Sequence, residues 1–440
     1  MTHPIDDSQT AGKILITGGC GFIGSNLAAH YLAKGWEVVA FDNFSRPGAE
    51  SNAAWLEQQA AGRLSIVIGD IRDYEPLCEA MQAVDVVAHL AAQVAVTTSV
   101  QNPREDFLIN ALGGFNVLDA ARQCGSDPIV LYASTNKVYG GLESLQVDLN
   151  GLRYELVDYS LGISEDFPID LHSPYGCSKG AIDLYMLDYA RIYGLRTAVF
   201  RQSCIYGPRQ FGVEDQGWVA HFVISAALGR PITIYGDGMQ VRDVLHVSDL
   251  IAAFEQAIDR IESCRGRAYN LGGGPQNALS LLELIHRLEA GQSRPVALAF
   301  GDWRPGDQRV YVSDIRKAQR ELGWAPKIGI AQGLENLHSW VDENRELFDG
   351  HLPSELRPAL SGPVGTSAIS RSAVALSTAP TAPLSGAVRD GLEPPVEPVP
   401  DGIPVLLPRL RVVESTARRM KAARPAPKDG ILTSPKEPAR

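Results

Sequence analysis

The amino-acid sequence predicts an α/β fold in which helices cover both faces of a doubly wound parallel sheet. Up to about residue 345, short apolar runs alternate with segments of helical spacing, such as residues 26–34 and 107–124. The apolar runs that predict strands are residues 13–17, 37–41, 64–68, 84–89, 129–133 and 197–201. Buried strands that alternate with helices are typical of right-handed βαβ units, which build parallel sheets.

Pattern and composition divide the 440 residues into three parts. Residues 11–200, with a return segment near residues 244–271, are predicted to form the sheet domain, and residues 201–345 mainly a smaller mixed α/β domain. Residues 352–440 are rich in Pro, Ala and Ser and poor in aromatics. We expect a largely disordered tail there, because such a segment buries too little apolar surface to offset its ordering entropy. Residues 403–423 are more apolar and basic, and form either a short helix that docks a partner or a less polar part of the tail.

Charge and cysteine content limit the classes of function. The net charge of −11 disfavours non-specific binding to nucleic acid or to anionic membranes. There is no run of about 18 apolar residues, the length of a transmembrane helix, and the polar N-terminus lacks the features of a secretory signal. The six cysteines are scattered without a Cys-x-x-Cys pair, so we expect no metal site and no disulfide framework. A cytoplasmic protein with reduced thiols fits these observations.

A glycine-rich turn directly follows the first predicted strand. Residues 17–24 read TGGCGFIG, and the glycines precede a helical segment. In a dinucleotide site, such glycines allow a tight turn, the approach of a pyrophosphate and close packing of helix on strand, while the helix N-terminus favours negative charge. The alternative is a purely structural turn. The residues of the turn that we assign to a cofactor are Gly18, Gly21, Phe22, Ile23 and Gly24.

A carboxylate follows the second strand. Asp42 lies about 20 residues after the glycines, where an acid accepts hydrogen bonds from the adenosine ribose, and Asn43 follows it. A carboxylate there repels a 2′-phosphate, so NAD is favoured over NADP, although the nearby Arg46 weakens this preference. The alternative for Asp42 is a helix cap.

Further cofactor contacts are expected where the third and fourth strands end. Asp70 follows the third strand and offers an acceptor to the adenine, with Ile71 beside it. Leu90 and Ala91 follow the fourth strand, where a cofactor lies close to the backbone. We interpret His89 as a strand-end histidine with satisfied hydrogen bonds and not as a catalyst.

Three side chains indicate acid–base chemistry. Tyr175 and Lys179 are four residues apart and share one face of a helix that Pro174 is well placed to start. A lysine ammonium beside a phenol favours the phenolate and lowers the tyrosine pKa, giving a base that removes a hydroxyl proton. Thr135 follows the fifth strand at the carboxyl end of the sheet, where its hydroxyl either bonds the reacting oxygen or serves as a cap or turn residue.

Together, TGGCGFIG, the acid at Asp42, the S-T-x-x-V-Y-G string at residues 134–140 and the Tyr-x-x-x-Lys spacing resemble the extended short-chain dehydrogenase/reductase family across residues 13–345. This family has a Rossmann sheet that binds NAD. Longer strings resemble in particular its branch of 2-epimerases that act on CDP-activated sugars such as CDP-paratose. These strings are residues 134–140, 172–180, 209–219, 241–246 and 307–311.

The resemblance implies an isomerase with a nucleotide-diphosphate sugar as substrate. NAD takes hydride from sugar C2, the 2-keto sugar reorients, and hydride returns to the opposite face. Thr135, Tyr175 and Lys179 carry over as the catalytic set, Tyr175 and Lys179 also as cofactor contacts, and Asn110 as the asparagine that positions the active-site helix. Homo-oligomers are expected by the same resemblance. The implied substrate contacts are Thr135 at the reacting oxygen, Arg242, Arg304 and Arg209 at the diphosphate, Asp307 at the nucleoside ribose, and Cys204.

Cys204 departs from the family pattern, because the family often has Asn at that place in R-x-x-N-x-Y-G-P and a thiol donates no amide hydrogen bond to the diphosphate. Asn136 and Lys137 replace the Asp-Glu pair of related 4,6-dehydratases, which disfavours water elimination.

Two other epimerase functions remain as alternatives: a 2-epimerase of another nucleotide sugar, such as a GDP-sugar, and a UDP-hexose 4-epimerase. A non-catalytic NAD-binding regulator is the alternative from a different class.

Overall fold

The computed structural model describes residues 12–348, except residues 293 and 305. The predicted tail at residues 352–440, with its docking segment at 403–423, lies outside the described residues. Within them, the strands are β1 (Lys13–Thr17), β2 (Glu37–Asp42), β3 (Leu64–Ile68), β4 (Val86–His89), β5 (Ile129–Thr135), β6 (Val147–Asn150), β7 (Arg153–Leu156), β8 (Arg196–Gln202), β9 (Cys204–Tyr206), β10 (Ile232–Tyr235), β11 (Val241–His246), β12 (Arg267–Leu271), β13 (Ala278–Ser280), β14 (Leu298–Gly301) and β15 (Val310–Tyr311).

The α-helices of the same residues are α1 (Phe22–Ala33), α2 (Ala49–Glu57), α3 (Tyr74–Ala80), α4 (Val96–Gln101), α5 (Pro103–Asp106), α6 (Gly113–Gln123), α7 (Ser173–Ile192), α8 (Trp218–Leu228), α9 (Val247–Asp259), α10 (Ile261–Cys264), α11 (Leu281–Gln292), α12 (Arg316–Leu322) and α13 (Ile330–Glu343). A π-helical turn spans Phe107–Leu112, and 3₁₀ helices span Asn136–Tyr139, Pro275–Asn277 and Arg345–Phe348. None of the described helices is both long and apolar enough to cross a bilayer.

The central sheet confirms the predicted fold class. It has seven strands in the order β12-β8-β5-β4-β1-β2-β3, and every neighbouring pair is parallel. All six predicted strands are present, with ends within two residues of the prediction. The strand order changes direction between β1 and β4, and in such sheets ligands bind in the crevice beyond the carboxyl ends of the strands at this point.

Alternation along each strand divides the core into two layers. Ile14 and Ile16 of β1 pack on one face of the sheet, among side chains of α1 and α9 that include Phe254. Leu15 packs on the other face, among side chains of α3, α6 and α7 that include Ile182. Because successive strand residues point to opposite faces, a strand buried on both sides is apolar throughout.

The rest of the described chain forms the predicted smaller α/β part. β9, β11, β13 and β15 form a mixed sheet, and β10 pairs in parallel with β14. Helices α8, α11 and α13 enclose a separate apolar cluster with β10, which includes Val223, Ile234, Leu284 and Trp340. The division into functional domains at residues 11–200 with 244–271 and at 201–345 stays a prediction.

Candidate active site

The glycine turn after β1 has no room for larger side chains. Gly18 has a left-handed φ of 70°, and a Cβ on Gly24 would lie 2.1 Å from the Gly18 carbonyl oxygen. Gly21, the residue before α1, offers no side chain to accept from the first-turn amides. Those amides therefore remain available to an anion, and the turn leaves a cradle beside the helix N-terminus. This geometry fits the pyrophosphate of a dinucleotide.

Asp42 ties the end of β2 to this turn. Its carboxylate accepts from the Cys20 amide at 3.0 Å and from the Phe44 amide at 2.8 Å. Burial raises the Asp42 pKa, and the backbone hydrogen bonds oppose that shift. The alternative of a helix cap does not hold, because α2 begins at Ala49 after Gly48. Arg46 donates to Gln216 at 2.6 Å, so its guanidinium is engaged away from Asp42.

Asp70 is held in its ionised form at the end of β3. Arg72 donates to its two oxygens at 2.9 and 2.8 Å, and Asn43 donates at 2.9 Å. These bonds, with Arg72 contributing most, lower the Asp70 pKa to about 2. Ile71 is buried against Gly113, where a Cβ would lie 2.6 Å from the Ile71 Cδ1. Asp42 thus contacts the glycine turn, and the adjacent Asn43 connects it to Asp70.

The end of β4 closes the same crevice. The Leu90 and Ala91 amides lie 3.2 and 3.3 Å from the Thr17 hydroxyl, and His89 Nδ1 lies 2.8 Å from it. Burial, followed by the charge of Lys179, lowers the His89 pKa to about 3. His89 is a satisfied, neutral strand-end histidine, as predicted.

Asn110 lies in the π-helical turn and connects two other segments of the site. Its side-chain oxygen accepts from the Gln93 amide at 2.9 Å, and its nitrogen donates to the Gln93 carbonyl at 2.9 Å and to Asp106 at 3.0 Å. Asp106 also accepts from the Ser178 hydroxyl at 2.6 Å. Ser178 lies directly before Lys179, so this network links the loop after β4 to the helix of the catalytic pair. The sequence interpretation missed Asp106 and Ser178.

Tyr175 and Lys179 lie one turn apart on α7, which begins at Ser173 with Pro174 in its first turn. The Lys179 ammonium donates to the Ala133 carbonyl at 2.6 Å. Burial lowers the Lys179 pKa to about 7, against the opposing charges of Asp106 and Asp183.

The pKa of Tyr175 differs from the expectation. Burial raises it to about 12, a hydrogen bond with Thr135 opposes the shift, and Asp106 adds to it. We expected Lys179 to lower this pKa. The structure shows instead that desolvation dominates and that the ammonium is directed at the Ala133 carbonyl.

One cavity of about 360 Å³ joins the catalytic residues to the cofactor turn. Phe22 and Ile23 at the start of α1 line it, as do Thr135 and Tyr175. Cys204, Arg242, Arg304 and Asp307 line it as well. The predicted catalytic tyrosine and threonine therefore share one cavity with the start of α1 and with two of the predicted diphosphate arginines.

Several of the side chains that line the cavity are charged. Arg242 is buried and donates to Asp307 at 2.5 Å. Arg304 pairs with Asp215 at 2.9 Å and stacks on the Tyr235 ring at 4.0 Å. Arg242, Arg304 and Asp307 all line the cavity, and their contacts with a diphosphate and a ribose stay predictions.

Arg209 departs from the prediction of a substrate contact. Its guanidinium lies 4.3 Å from the centre of the Trp55 ring and 5.9 Å from that of Trp340, and it does not line the cavity. Burial lowers its pKa to about 10. Aromatic side chains from α2 and α13, distant in the sequence, draw it away from the site.

The residues after Thr135 bear on the type of reaction. Asn136 and Lys137 both line the cavity wall. Among the described lining residues, the carboxylates are Glu214, Asp215 and Asp307, and each accepts a hydrogen bond or forms an ion pair with another cavity residue. Neither of the two residues that follow Thr135 in the sequence carries a carboxylate, so the Asp-Glu pair that related dehydratases use for water elimination is missing at these positions.

Comparison with known proteins identifies the family of this chain. The model of the GDP-mannose 4,6-dehydratase family matches residues 15–337. A CDP-paratose 2-epimerase from Salmonella typhi is 46% identical over 336 residues, which are 75% of this chain and 99% of that protein. A putative UDP-glucose 4-epimerase from Methanocaldococcus jannaschii is 34% identical over 334 residues, with coverage of 75% and 99%.

A similar solved structure is that of a dTDP-glucose 4,6-dehydratase from Streptomyces venezuelae with NAD bound. It has a TM-score of 0.66 and 30% identity, covering 76% of this chain and 98% of that chain. Epimerases and dehydratases on nucleotide sugars thus share this chain's architecture over nearly their whole length.

Proposed function

The chain belongs to the GDP-mannose 4,6-dehydratase family of extended short-chain dehydrogenases/reductases, and we propose that it is an NAD-dependent 2-epimerase of a CDP-activated sugar such as CDP-paratose. The observation that carries this proposal is the single cavity that Thr135 and Tyr175 line together with Arg242 and with Phe22 and Ile23 at the start of α1. The identity of 46% to a CDP-paratose 2-epimerase favours this substrate over the sugars of other relatives.

The described residues fit NAD. The uncapped first-turn amides of α1 suit its pyrophosphate, and Asp42 suits the adenosine ribose while repelling the 2′-phosphate of NADP. Asp70 is fixed as an ionised acceptor near the adenine position. NAD, when bound, supplies the acceptor for the hydrogen of sugar C2 and the positive charge of its oxidised ring.

Tyr175 moves the proton at the C2 oxygen, and the Thr135 hydroxyl holds that oxygen in place. As the phenolate, Tyr175 takes the hydroxyl proton while the C2–H bond breaks and C2 becomes a carbonyl; the return step gives the proton back. The Tyr175 pKa of about 12 must fall for this role. Lys179 holds α7 against the end of β5, because its ammonium donates to the Ala133 carbonyl at 2.6 Å. The positive charge that favours the phenolate would be that of the oxidised ring of bound NAD.

Between the two steps the keto sugar must turn its other face to the same group. Arg242 and Arg304, which line the cavity, hold the diphosphate and thereby keep the nucleotide in place. The sugar then rotates about the bonds that link it to the phosphate. Net redox is zero, so no external reductant is needed.

Localisation and assembly are further parts of the proposal. The six cysteines are all free, which supports a reducing compartment such as the cytoplasm. Phe107 and Phe115, on the π-helical turn and α6, and Leu184 and Tyr185 on α7 expose apolar surface, which supports a homo-oligomer through these helices. A partner for the tail stays a prediction.

The test is to incubate the purified protein with CDP-, UDP- and GDP-activated hexoses and 3,6-dideoxyhexoses and to follow the products by NMR. We expect inversion at C2 of a CDP-activated sugar. Inversion at C4 of a UDP-hexose, or turnover of a GDP-sugar alone, would replace this proposal by one of the two rival epimerases. Loss of water from any of these sugars would contradict the argument from Asn136 and Lys137.

A further inference from the structure

Lys137 is a partly buried cation that the proposed reaction does not use. It lies two residues after Thr135, and 19% of its side-chain surface is exposed. Its ammonium donates to the Gly306 carbonyl at 3.3 Å and to Gln308 at 3.4 Å, and it lies 4.0 Å from an oxygen of Asp307. These contacts place the ammonium in the wall of the cavity beside Asp307, the residue predicted to meet the nucleoside ribose.

The charges around Lys137 are unbalanced. Arg242 donates to the same Asp307 oxygen, so two cations share one carboxylate. Burial, followed by Arg242, lowers the Lys137 pKa to about 8, and Asp307 opposes this shift. Arg304 adds no further net positive charge, because it pairs with Asp215. A desolvated excess of positive charge is costly unless an anion completes the cluster.

Cys204 lies within the influence of the same two cations. Burial raises its pKa, and both Arg242 and Lys137 oppose that shift, with Asp243 acting in the other direction. The thiol sulfur accepts from Trp218 Nε1 at 3.3 Å. This position often holds an asparagine amide in the resembling family, and a neutral thiol cannot replace that strong donor.

We propose that Lys137 is a ligand of the substrate diphosphate and that, with Arg242, it supplies the contact that the Cys204 thiol cannot make. The inference rests on the proposed function, because it takes a nucleoside diphosphate as the group bound there. An ammonium is a compact point charge that binds phosphate without a fixed direction. Related 4,6-dehydratases carry a carboxylate at the position of Lys137. The lysine therefore places a ligand for anions where those enzymes have an acid–base residue.

The direct test is calorimetric titration of the full chain with CDP, UDP and GDP, and with the corresponding nucleosides. For the diphosphate that binds the wild type, Lys137→Gln is expected to weaken binding roughly tenfold or more, the range of a hydrogen bond to a charged group. Nucleoside binding is expected to stay unchanged. Lys137→Arg, which keeps the charge, should retain most of the affinity, and Lys327→Gln, at an exposed position, serves as the control.

A binding constant for the diphosphate within twofold of wild type in Lys137→Gln would overturn the inference. So would an equal loss of nucleoside and diphosphate binding, because that indicates a distorted site. If UDP or GDP binds in place of CDP and still depends on Lys137, the proposed substrate fails while this inference stands. If none of the three binds the wild type, both fail.

A double-mutant cycle tests the link to Cys204. If Lys137 compensates for the missing amide, Cys204→Asn should strengthen diphosphate binding more in the Lys137→Gln background than in the wild type. Equal effects in both backgrounds would mean that the residues act on separate groups and would overturn the compensation.

The pH dependence of diphosphate binding is a further test. In the wild type, the affinity for the diphosphate should fall above about pH 8, where Lys137 loses its charge, and it should fall less in Lys137→Arg.

Discussion

The buried ion pair between Asp183 and Arg201 holds the catalytic helix on the sheet, and Asp183→Asn should destabilise the protein strongly. Arg201 on β8 donates to the two oxygens of Asp183 at 3.0 and 2.9 Å, and Ser134 donates at 2.7 Å. Side-chain exposure is 4% for Arg201 and 0% for Asp183. Asp183 lies one turn after Lys179 on α7, so the ion pair joins that helix to β8, and the bond from Ser134 joins it to β5, which ends at Thr135.

The magnitude follows from what the asparagine cannot do. Asn keeps the shape of Asp but removes the charge, and its NH₂ group turns a donor toward the donors of Arg201 or Ser134. The guanidinium is then buried without its counter-ion. Removing one partner of a buried pair costs about 3–5 kcal/mol, and we expect a loss of this size in the free energy of unfolding.

The assay is urea unfolding of wild type and variant, followed by circular dichroism, with epimerase rate measured below the transition. Asp188→Asn is a matched control, because it changes the same residue type on the same helix in a pair with Arg191 at 2.7 Å. The exposed fraction of the side chain is 46% for Asp188 and 73% for Arg191. An exposed pair contributes at most about 1 kcal/mol. If both variants lost the same small amount, the reasoning about burial would be refuted.

Three further outcomes are expected. Tyr175→Phe should lower turnover by roughly 10²–10⁴-fold while NAD binding, followed by fluorescence, persists; an unaffected rate would exclude Tyr175 as the proton carrier. Arg242→Gln should raise KM for the nucleotide sugar roughly tenfold or more with a smaller change in kcat, and a change in kcat alone would contradict diphosphate binding there. The depressed Lys179 pKa of about 7 means that the unfolded chain binds more protons than the folded one between pH 7 and the normal lysine pKa near 10.5. Wild type should therefore gain stability relative to Lys179→Met by about 1.4 kcal/mol per pH unit over that window, and parallel denaturation profiles would argue against a desolvated lysine.

Local sequence pattern was sufficient to predict six of the seven strands of the central sheet and the glycine turn after β1. The apolar runs predicted six strands, because a strand buried on both faces is apolar throughout. Pro174 correctly marked the start of α7. Gly18 and Gly24 were identified from spacing, and the structure shows the physical reason in the absence of space for a Cβ.

Contacts between residues that are far apart in the sequence could not be predicted from local pattern. The π-helical turn that carries Asn110 inserts one residue into a continuous helical pattern, and hydrophobic spacing does not report it. Asp106 and Ser178 meet across 72 positions of sequence. Arg209 resembled a phosphate ligand by its motif, yet Trp55 and Trp340 hold it elsewhere. The pKa of Tyr175 failed as a prediction because burial, which the spacing does not reveal, outweighs its neighbours.

The route of the C2 hydrogen tests the central claim most directly. Unlabelled CDP-paratose is turned over in deuterated water, and the product is analysed by NMR at C2. Because Tyr175 exchanges only the hydroxyl proton and the C2 hydrogen travels as hydride, the account predicts an epimer that carries protium at C2. Deuterium at C2 would show that the carbon-bound hydrogen leaves as a proton, and it would contradict the proposed mechanism.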